Sequence, residues 1–214
     1  MSAFAEMGLE LLYPPKCPIC EAVVPKEGFC PSCISKVRKA GFMKSERVYA
    51  VYKYDFVASA VYRLKYQGKA DVGRTLGRLM WAETEQILRD WAPDVILPVP
   101  LHAKRLKKRG FNQSRLLCEE LARQLKIPIL PDLVIRCADT RPMKDLNVRE
   151  RQNNLKKAFK IGQNDVKLKT ILIVDDIYTT GTTTDEISKL LLRAGADKTY
   201  VLTLGSDNEN QAAE

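Results

Sequence analysis

The stretch Ile-Leu-Ile-Val-Asp-Asp-Ile-Tyr-Thr-Thr-Gly-Thr-Thr, residues 171–183, decides the fold. Its four leading apolar residues favour β-structure and predict a strand buried on both faces, as in a parallel sheet covered by helices. The predicted strand ends in two carboxylates, Asp175 and Asp176. A hydroxyl-rich turn follows, and Thr182 or Thr183 is expected to cap the next helix.

This order of strand, acid pair, turn and helix predicts a site for a sugar 5′-phosphate. Backbone N–H groups of a tight turn, threonine hydroxyls and the positive end of a helix dipole favour a phosphate, and Gly181 permits close backbone approach. Carboxylates placed before the turn can accept hydrogen bonds from vicinal sugar hydroxyls. The alternative is a buried strand with an acid-rich turn and an ordinary threonine cap. The predicted ribose and 5′-phosphate ligands are Asp175, Asp176, Tyr178, Thr179, Thr180, Gly181, Thr182 and Thr183.

The segment 174–183 closely resembles the motif that binds 5-phosphoribosyl 1-pyrophosphate (PRPP) in the type I phosphoribosyltransferases. The resemblance implies that Asp175 and Asp176 hold the ribose 2′- and 3′-hydroxyls and that the threonine turn holds the 5′-phosphate. It also implies Mg²⁺, which bridges the pyrophosphate and the ribose hydroxyls in that family.

Strands and helices alternate along the rest of the chain, which predicts an α/β fold with a mainly parallel sheet. Further strands are predicted at 48–54, 94–98, 127–130, 134–135 and 200–204. Helices are predicted at 57–66, 72–89 and about 112–125. The polar segment 137–157 lacks periodicity, and we expect it to form a mobile lid.

Length and composition predict one sizeable core with a small appended module, since 45% of the 214 residues are hydrophobic. No stretch approaches the length of a membrane span, and the first residues lack the pattern of a signal peptide. We therefore expect a cytoplasmic protein without membrane insertion. No Walker phosphate-binding sequence occurs, which argues against an ATP-driven motor or helicase, so any motor must be a partner.

Four cysteines near the start of the chain predict a zinc ribbon. They form Cys-Pro-Ile-Cys, nine intervening residues and Cys-Pro-Ser-Cys, a spacing that suits tetrahedral zinc. A disulfide pair is the alternative. The predicted ligands are Cys17, Cys20, Cys30 and Cys33. We assign a short helix and this ribbon to a domain at 1–40, and the phosphoribosyltransferase-like domain to 41–214.

A basic segment between residues 101 and 118 carries six cations and no acid, within a chain of net charge +9. Such a segment projects a positive field that suits phosphates, although an ordinary solvated face is the alternative. The candidate nucleic-acid ligands are Lys104, Arg105, Lys107, Lys108, Arg109 and Arg115. The resemblance to phosphoribosyltransferases further implies a pyrophosphate site after the strand at 94–98, formed by Val99, Pro100, Leu101 and Arg105. His102 lies beside this turn, where it is either functional or merely structural.

Three segments together resemble a narrower group, the ComF family, also described as ComFC or GntX-like. They are Pro-Val-Pro-Leu-His-Ala-Lys-Arg-Leu-Lys-Lys-Arg-Gly-Phe-Asn-Gln-Ser at 98–114, Asn-Val-Arg-Glu-Arg-Gln-Asn-Asn-Leu-Lys-Lys-Ala-Phe at 147–159, and Asp-Asp-Ile-Tyr-Thr-Thr-Gly-Thr-Thr at 175–183. The resemblance implies a phosphoribosyltransferase fold joined to a zinc module. It also implies a cytoplasmic role in natural transformation, moving incoming single-stranded DNA with other competence proteins.

The sequence supports two functional hypotheses. An enzyme would transfer the phosphoribosyl group to a nucleophile, as in nucleotide salvage, with lid residues Arg149 and Arg151 neutralising the leaving pyrophosphate. A binding protein would keep the pocket as a PRPP sensor and use its basic surface for single-stranded DNA. Tyrosines at 49, 52, 54, 62 and 66 are candidate stacking platforms. Strand alternation assigns Tyr52 and Tyr54 to the core instead.

Overall fold

A central sheet of five strands organises the molecule, whose computed structural model describes residues 14–137, 158–162, 166–167 and 169–207. The strands in these residues are β1 (Lys39–Phe42), β2 (Val48–Lys53), β3 (Val95–Pro98), β4 (Val134–Arg136), β5 (Phe159–Ile161), β6 (Thr170–Tyr178) and β7 (Lys198–Ser206). The central sheet has the order β1-β2-β7-β6-β3, and β4 pairs with β5 separately. Apart from the antiparallel pair β1-β2, neighbours in the central sheet are parallel.

Helices cover both faces of this sheet. They are α1 (Pro31–Ile34), α2 (Tyr54–Tyr66), α3 (Ala70–Trp91), α4 (Ala103–Arg109), α5 (Gln113–Leu125) and α6 (Thr182–Arg193). The predicted α/β class with a mainly parallel sheet is therefore confirmed. The predicted N-terminal helix lies outside the described residues, as does 138–157 of the predicted lid.

Strand β6 is buried on both faces, as its apolar run predicts. Ile171 and Ile173 join one core cluster together with Ile187 of α6. Leu172 and Val174 join the other, which includes Leu117 of α5. The strand thus connects the two halves of the hydrophobic core, and this rigid support fixes the residues that follow it.

The predicted end of this strand was wrong. β6 continues through both carboxylates to Tyr178, because β7 offers backbone partners as far as Ser206. The predicted strand at 127–130 is reduced to an isolated bridge between Ile129 and Ile96 of β3. The β-propensities of residues do not indicate how far pairing with a neighbouring strand lengthens a strand.

β3 ends before β6 does, and we call the space that this leaves beside the end of β6 the cleft. The last residue pair of these strands is Pro98 with Val174, and the N–H of Val99 still donates to the carbonyl of Val174 at 2.9 Å. One residue later β6 presents Asp175, at the carboxyl edge of the parallel strands. Ligands of open α/β sheets bind at such edges, so the fold places the acid pair in a binding position.

The cysteine ribbon packs against α2 and the sheet. Arg63 of α2 is only 8% exposed and donates to the carbonyl of Ile19 in the ribbon at 2.9 Å. Phe29 lies edge-on to Tyr52 of β2, with ring centroids 5.7 Å apart. Ribbon and sheet therefore share a buried interface, and the domain boundary after residue 40 stays a prediction.

Candidate functional site

The acid pair near the end of β6 is held by hydrogen bonds from backbone groups and from Ser114. Oδ1 of Asp175 accepts from the Ser114 hydroxyl at 3.0 Å and from the N–H of Asp176 at 2.9 Å. Oδ1 of Asp176 accepts from the N–H of Ile177 at 3.0 Å. These contacts fix the orientation of both carboxylates before any ligand arrives.

Lys65 of α2 balances the charge of the pair. Its ammonium group forms an ion pair with Oδ2 of Asp176, and the two side chains are only 22% and 6% exposed. Burial raises the pKa of Asp175 to about 7, with a further rise from the charge of Asp176, while Lys65 and hydrogen bonds oppose the increase. A pair of acids, one buried and one partly buried, with one cation is well suited to receive hydroxyl donors or a divalent cation.

We expect Asp175→Asn to flatten the pH dependence of stability. Because the folded-state pKa is raised to about 7, the folded protein keeps a proton that the unfolded chain releases near pH 4. Stability contributed by the protonated group is present below the unfolded pKa and is lost as pH rises through this window. Between about pH 4 and pH 7 this loss lowers the free energy of unfolding by on the order of 4 kcal/mol at most.

Urea unfolding at acidic and neutral pH measures this dependence. Asp197→Asn is the matched control, because Asp197 is 54% exposed and precedes β7 at the opposite edge of the sheet. Identical pH profiles for the parent and the Asp175→Asn protein would contradict the assignment.

The turn after β6 has the geometry of an anion cradle. Gly181 adopts a left-handed conformation with φ of 75° and precedes α6, so the predicted threonine cap at 182 or 183 was wrong. The hydroxyls of Thr180 and Thr182 lie 2.6 Å apart, and the buried Thr184 hydroxyl donates to the Gly181 carbonyl at 3.0 Å. A small cavity is lined by Asp175, Ile177, Tyr178, Thr179, Thr180, Gly181, Thr182, Thr183 and Thr184. The structure thus brings together all the predicted ribose and phosphate ligands except Asp176, which adjoins them.

Lys44 holds this turn from the loop between β1 and β2. Its ammonium group donates to the Thr180 carbonyl at 3.0 Å and to the Asp185 carboxylate at 3.2 Å. Lys44 lies more than a hundred residues away in sequence, so sequence reasoning missed it. Its positive charge beside the turn favours an anion there.

The turn after β3 is linked to the acid pair through the start of α5. Val99 and Pro100 are buried, and Leu101 is partly buried. The Asn112 side chain donates to the Val99 carbonyl at 3.0 Å and accepts from the Ser114 N–H at 3.0 Å. His102 accepts through Nδ1 from the N–H of Lys104 at 3.4 Å and so begins α4. This contact gives the histidine a structural role at the start of α4, and a functional role beside the turn stays a hypothesis.

The predicted basic residues occupy one exposed region next to this turn. Arg109 differs from the others because it is half-buried and donates to the Gln113 side chain. Burial lowers the pKa of Arg109, opposed by the negative charge of Asp176. The exposed members are Lys104, Arg105, Lys107 and Lys108 on α4 and Arg115 on α5. This region therefore extends the positive field from the cleft to the surface.

The four ribbon cysteines converge as a metal site. Their sulfur atoms lie within 4.8 Å of one another, near the separation of about 3.8 Å that Zn–S bonds of about 2.3 Å give in a tetrahedron. Hydrogen bonds, chiefly from Ser32, lower the pKa of Cys30 to about 6, whereas burial raises the pKa of Cys33 to about 12. Cys30 is thus the more readily ionised of these two, and zinc requires the thiolate form of its ligands. None of the six cysteines is in a disulfide. The four residues thus fit a structural zinc ion and not the alternative disulfide.

Comparisons with known families agree with this geometry. The family model of the phosphoribosyl transferase domain matches residues 111–212, and that of the double zinc ribbon domain matches residues 8–42. Competence protein F of Haemophilus influenzae is 37% identical over 146 residues, covering 66% of this chain and 64% of that protein. The chain is therefore a homologue of competence protein F, as the resemblance to the ComF family predicts.

Two further proteins are similar to this chain. Competence protein ComFC of Bacillus subtilis is 27% identical over 191 residues, covering 84% of this chain and 72% of that protein. DNA utilization protein YhgH of Escherichia coli K12 is 38% identical over 147 residues, covering 67% of this chain and 64% of that protein. The chain thus spans slightly less than two thirds of the Haemophilus and Escherichia proteins.

The tyrosine predictions divide between core and surface. Tyr52 is fully buried, as strand alternation predicts. Tyr54 was placed wrongly in the core: it begins α2 instead of ending β2, and it is 36% exposed. Tyr62 and Tyr66 lie on the exposed side of α2. The lid candidates Arg149 and Arg151 lie outside the described residues.

A membrane-spanning helix is absent from the part of the chain that the structure describes. No helix there is both long enough and apolar enough to cross a bilayer.

Proposed function

We propose that this protein belongs to the ComF family, binds PRPP at the cleft between β3 and β6 and handles single-stranded DNA during natural transformation, in the cytoplasm. The observation that carries the proposal is the rigid acid pair beside a threonine turn at the carboxyl edge of the sheet. The carboxylates of Asp175 and Asp176 accept the ribose hydroxyls, and the turn at 179–183 donates backbone and hydroxyl groups to the 5′-phosphate.

The other half of the ligand lies on the β3 side in this proposal. Backbone groups of Val99, Pro100 and Leu101 face the pyrophosphate, and Arg105 adds positive charge. Mg²⁺ binds together with PRPP, because the pyrophosphate and hydroxyl oxygens of PRPP are hard ligands of the kind that this cation prefers. Lys65 already neutralises one acid, so we place Mg²⁺ chiefly on ligand oxygens.

The DNA part of the proposal rests on the basic region and on the names of relatives. Competence protein F, ComFC and the DNA utilization protein are named for DNA uptake or use. Exposed cations on α4 suit a phosphate backbone, and competence proteins that include a motor are the expected partners.

A transferase of nucleotide salvage is the second candidate, because the same cleft presents both halves of PRPP to an acceptor.

Binding of PRPP with Mg²⁺ is expected to raise the melting temperature of the parent protein, since a ligand that binds only the folded state stabilises it. Asp176→Asn should abolish the shift because it removes a ribose ligand and the partner of Lys65. Asp197→Asn, at the opposite edge, should keep it. An unchanged melting temperature of the parent protein in the presence of PRPP and Mg²⁺ would refute the pocket assignment.

A separate assay tests the second candidate. Pyrophosphate release from PRPP that depends on one added acceptor would favour the transferase.

Binding of a labelled single-stranded oligonucleotide is expected to weaken steeply with salt. Each phosphate contact contributes about −0.7 to the logarithmic salt slope. Arg105→Ala with Arg109→Ala should therefore reduce the slope by about 1.4. The control is Arg89→Ala with Arg123→Ala, which removes equal charge from α3 and α5. Equal affinities for these two double variants would exclude α4 as the DNA surface.

A further inference from the structure

Two tyrosine rings form an exposed pair on the last two turns of α2. Tyr62 is 57% exposed and Tyr66 is 69% exposed. Their ring centroids lie 5.1 Å apart with an angle of 45° between the planes. Large aromatic side chains usually contribute to the core, and here one face of the pair stays open to solvent. The pair therefore offers ring surface that a flat ligand can cover.

The aromatic pair lies at the rim of the proposed PRPP site. The guanidinium carbon of Arg109 is 6.0 Å from the centroid of the Tyr66 ring. Arg109 also lies within electrostatic reach of Asp176, and Lys65, adjacent to Tyr66 in α2, forms an ion pair with that carboxylate. One continuous surface thus joins the tyrosines, a guanidinium plane and the acid pair.

The positive charge next to the tyrosine pair favours a single-stranded nucleic acid as the ligand. Arg109 ends α4, whose preceding turns expose Lys104, Arg105, Lys107 and Lys108. A row of cations beside exposed rings is the arrangement that binds single strands, with phosphates on the cations and bases stacked on the rings. A duplex hides its base faces, so it cannot use the rings in this way.

We propose that Tyr62 and Tyr66 form a stacking platform for the bases of single-stranded DNA, while Arg109 and the exposed cations of α4 contact the phosphates. This inference rests on the proposed DNA function and assigns it a base-contacting surface. The platform reads no particular sequence, because every base has a face that stacks on an aromatic ring.

The decisive experiment compares a labelled oligothymidylate with an abasic oligonucleotide of the same length and charge. Removing a stacking ring weakens binding about fivefold to a hundredfold, so we expect that loss for Tyr66→Ser and a larger loss with Tyr62→Ser added. Tyr62→Phe with Tyr66→Phe keeps both rings and should bind like the parent. Tyr54→Ser on the same helix should also bind like the parent. The abasic strand should bind the parent more weakly and should not respond to the serine substitutions.

The outcomes separate this inference from the function on which it rests. If the serine variants bind oligothymidylate as the parent does while the double arginine variant binds weakly, the platform is refuted and the DNA function stands. If the parent binds no single strand, both are refuted. Since both tyrosines are exposed, an unchanged melting temperature is expected, and it shows that a loss of binding does not come from unfolding.

Discussion

Replacing Cys17 with serine is expected to remove the bound zinc and to unfold the cysteine ribbon. The four thiols fit one tetrahedral ion, and apparent binding energies of structural zinc reach about 10 kcal/mol or more in isolated fingers. The ribbon core contains little besides the cysteines and Val24, so hydrophobic burial cannot replace the metal.

Loss of the ribbon should also weaken the rest of the molecule. Phe29 packs between Tyr52 and Phe56, and Arg63 loses its partner carbonyl at Ile19 when the ribbon unfolds. Leaving these groups without partners costs about 3 kcal/mol or more, which lowers the melting temperature by roughly 6–12 °C in a protein of this size. Zinc analysis and thermal unfolding measure the two effects.

The control for this prediction is Cys137→Ser, because Cys137 is exposed and lies outside the ribbon. It should keep about one zinc ion per chain and the parent melting temperature. A Cys17→Ser protein with full zinc and unchanged stability would show that the ribbon does not depend on a four-cysteine site. A chelator should destabilise the parent and leave the Cys17→Ser protein unaffected.

The sequence identified those parts of the site whose signal is local. The acid pair, the threonine turn and the cysteine spacing each lie within a short segment, where residue type and order carry the chemistry. The alternation of strands and helices likewise predicted the sheet. The extension of β6 to Tyr178 could not be predicted in this way, because it depends on β7, which lies twenty residues further along the chain.

The site residues that the sequence did not predict lie on elements far from the acid pair along the chain. Lys65 neutralises Asp176 from α2, and Lys44 binds the turn from the loop before β2. Neither lysine stands in a distinctive local pattern, and a lysine on a helix or loop is usually solvated. Only the packing of α2 on the sheet identifies Lys65 as part of the acid pair. Ser114 and Asn112 were likewise visible only as the beginning of a helix.

The turn that follows β6 should be intolerant of any side chain at position 181. In Gly181→Ala the added Cβ would lie 2.3 Å from the hydroxyl oxygen of Tyr178 and 2.6 Å from its ring carbon Cζ. Tyr178 is only 1% exposed, so its ring has little room to move away. The φ of 75° adds strain for an alanine, typically about 1–2 kcal/mol.

We therefore expect Gly181→Ala to weaken PRPP binding by about tenfold to a hundredfold, since each 1.4 kcal/mol changes affinity tenfold. Titration calorimetry with PRPP and Mg²⁺ measures this loss. Gly110→Ala is the matched control: Gly110 has a φ of 85°, and an added methyl group there would meet no heavy atom within 4 Å. It imposes similar backbone strain without the collision, so it should retain most of the affinity.

A second substitution separates the collision from the strain. Tyr178→Phe removes the hydroxyl oxygen, the atom nearest to the added methyl group, and should recover part of the affinity lost in Gly181→Ala. The recovery is only partial because the ring carbon and the positive φ remain. If Gly181→Ala and Gly110→Ala weaken PRPP equally, the close packing of Tyr178 under the turn is not what shapes the phosphate cradle. A greater loss at Gly181 that Tyr178→Phe relieves would make this buried tyrosine the floor of the cradle, holding the backbone N–H groups in position for the phosphate.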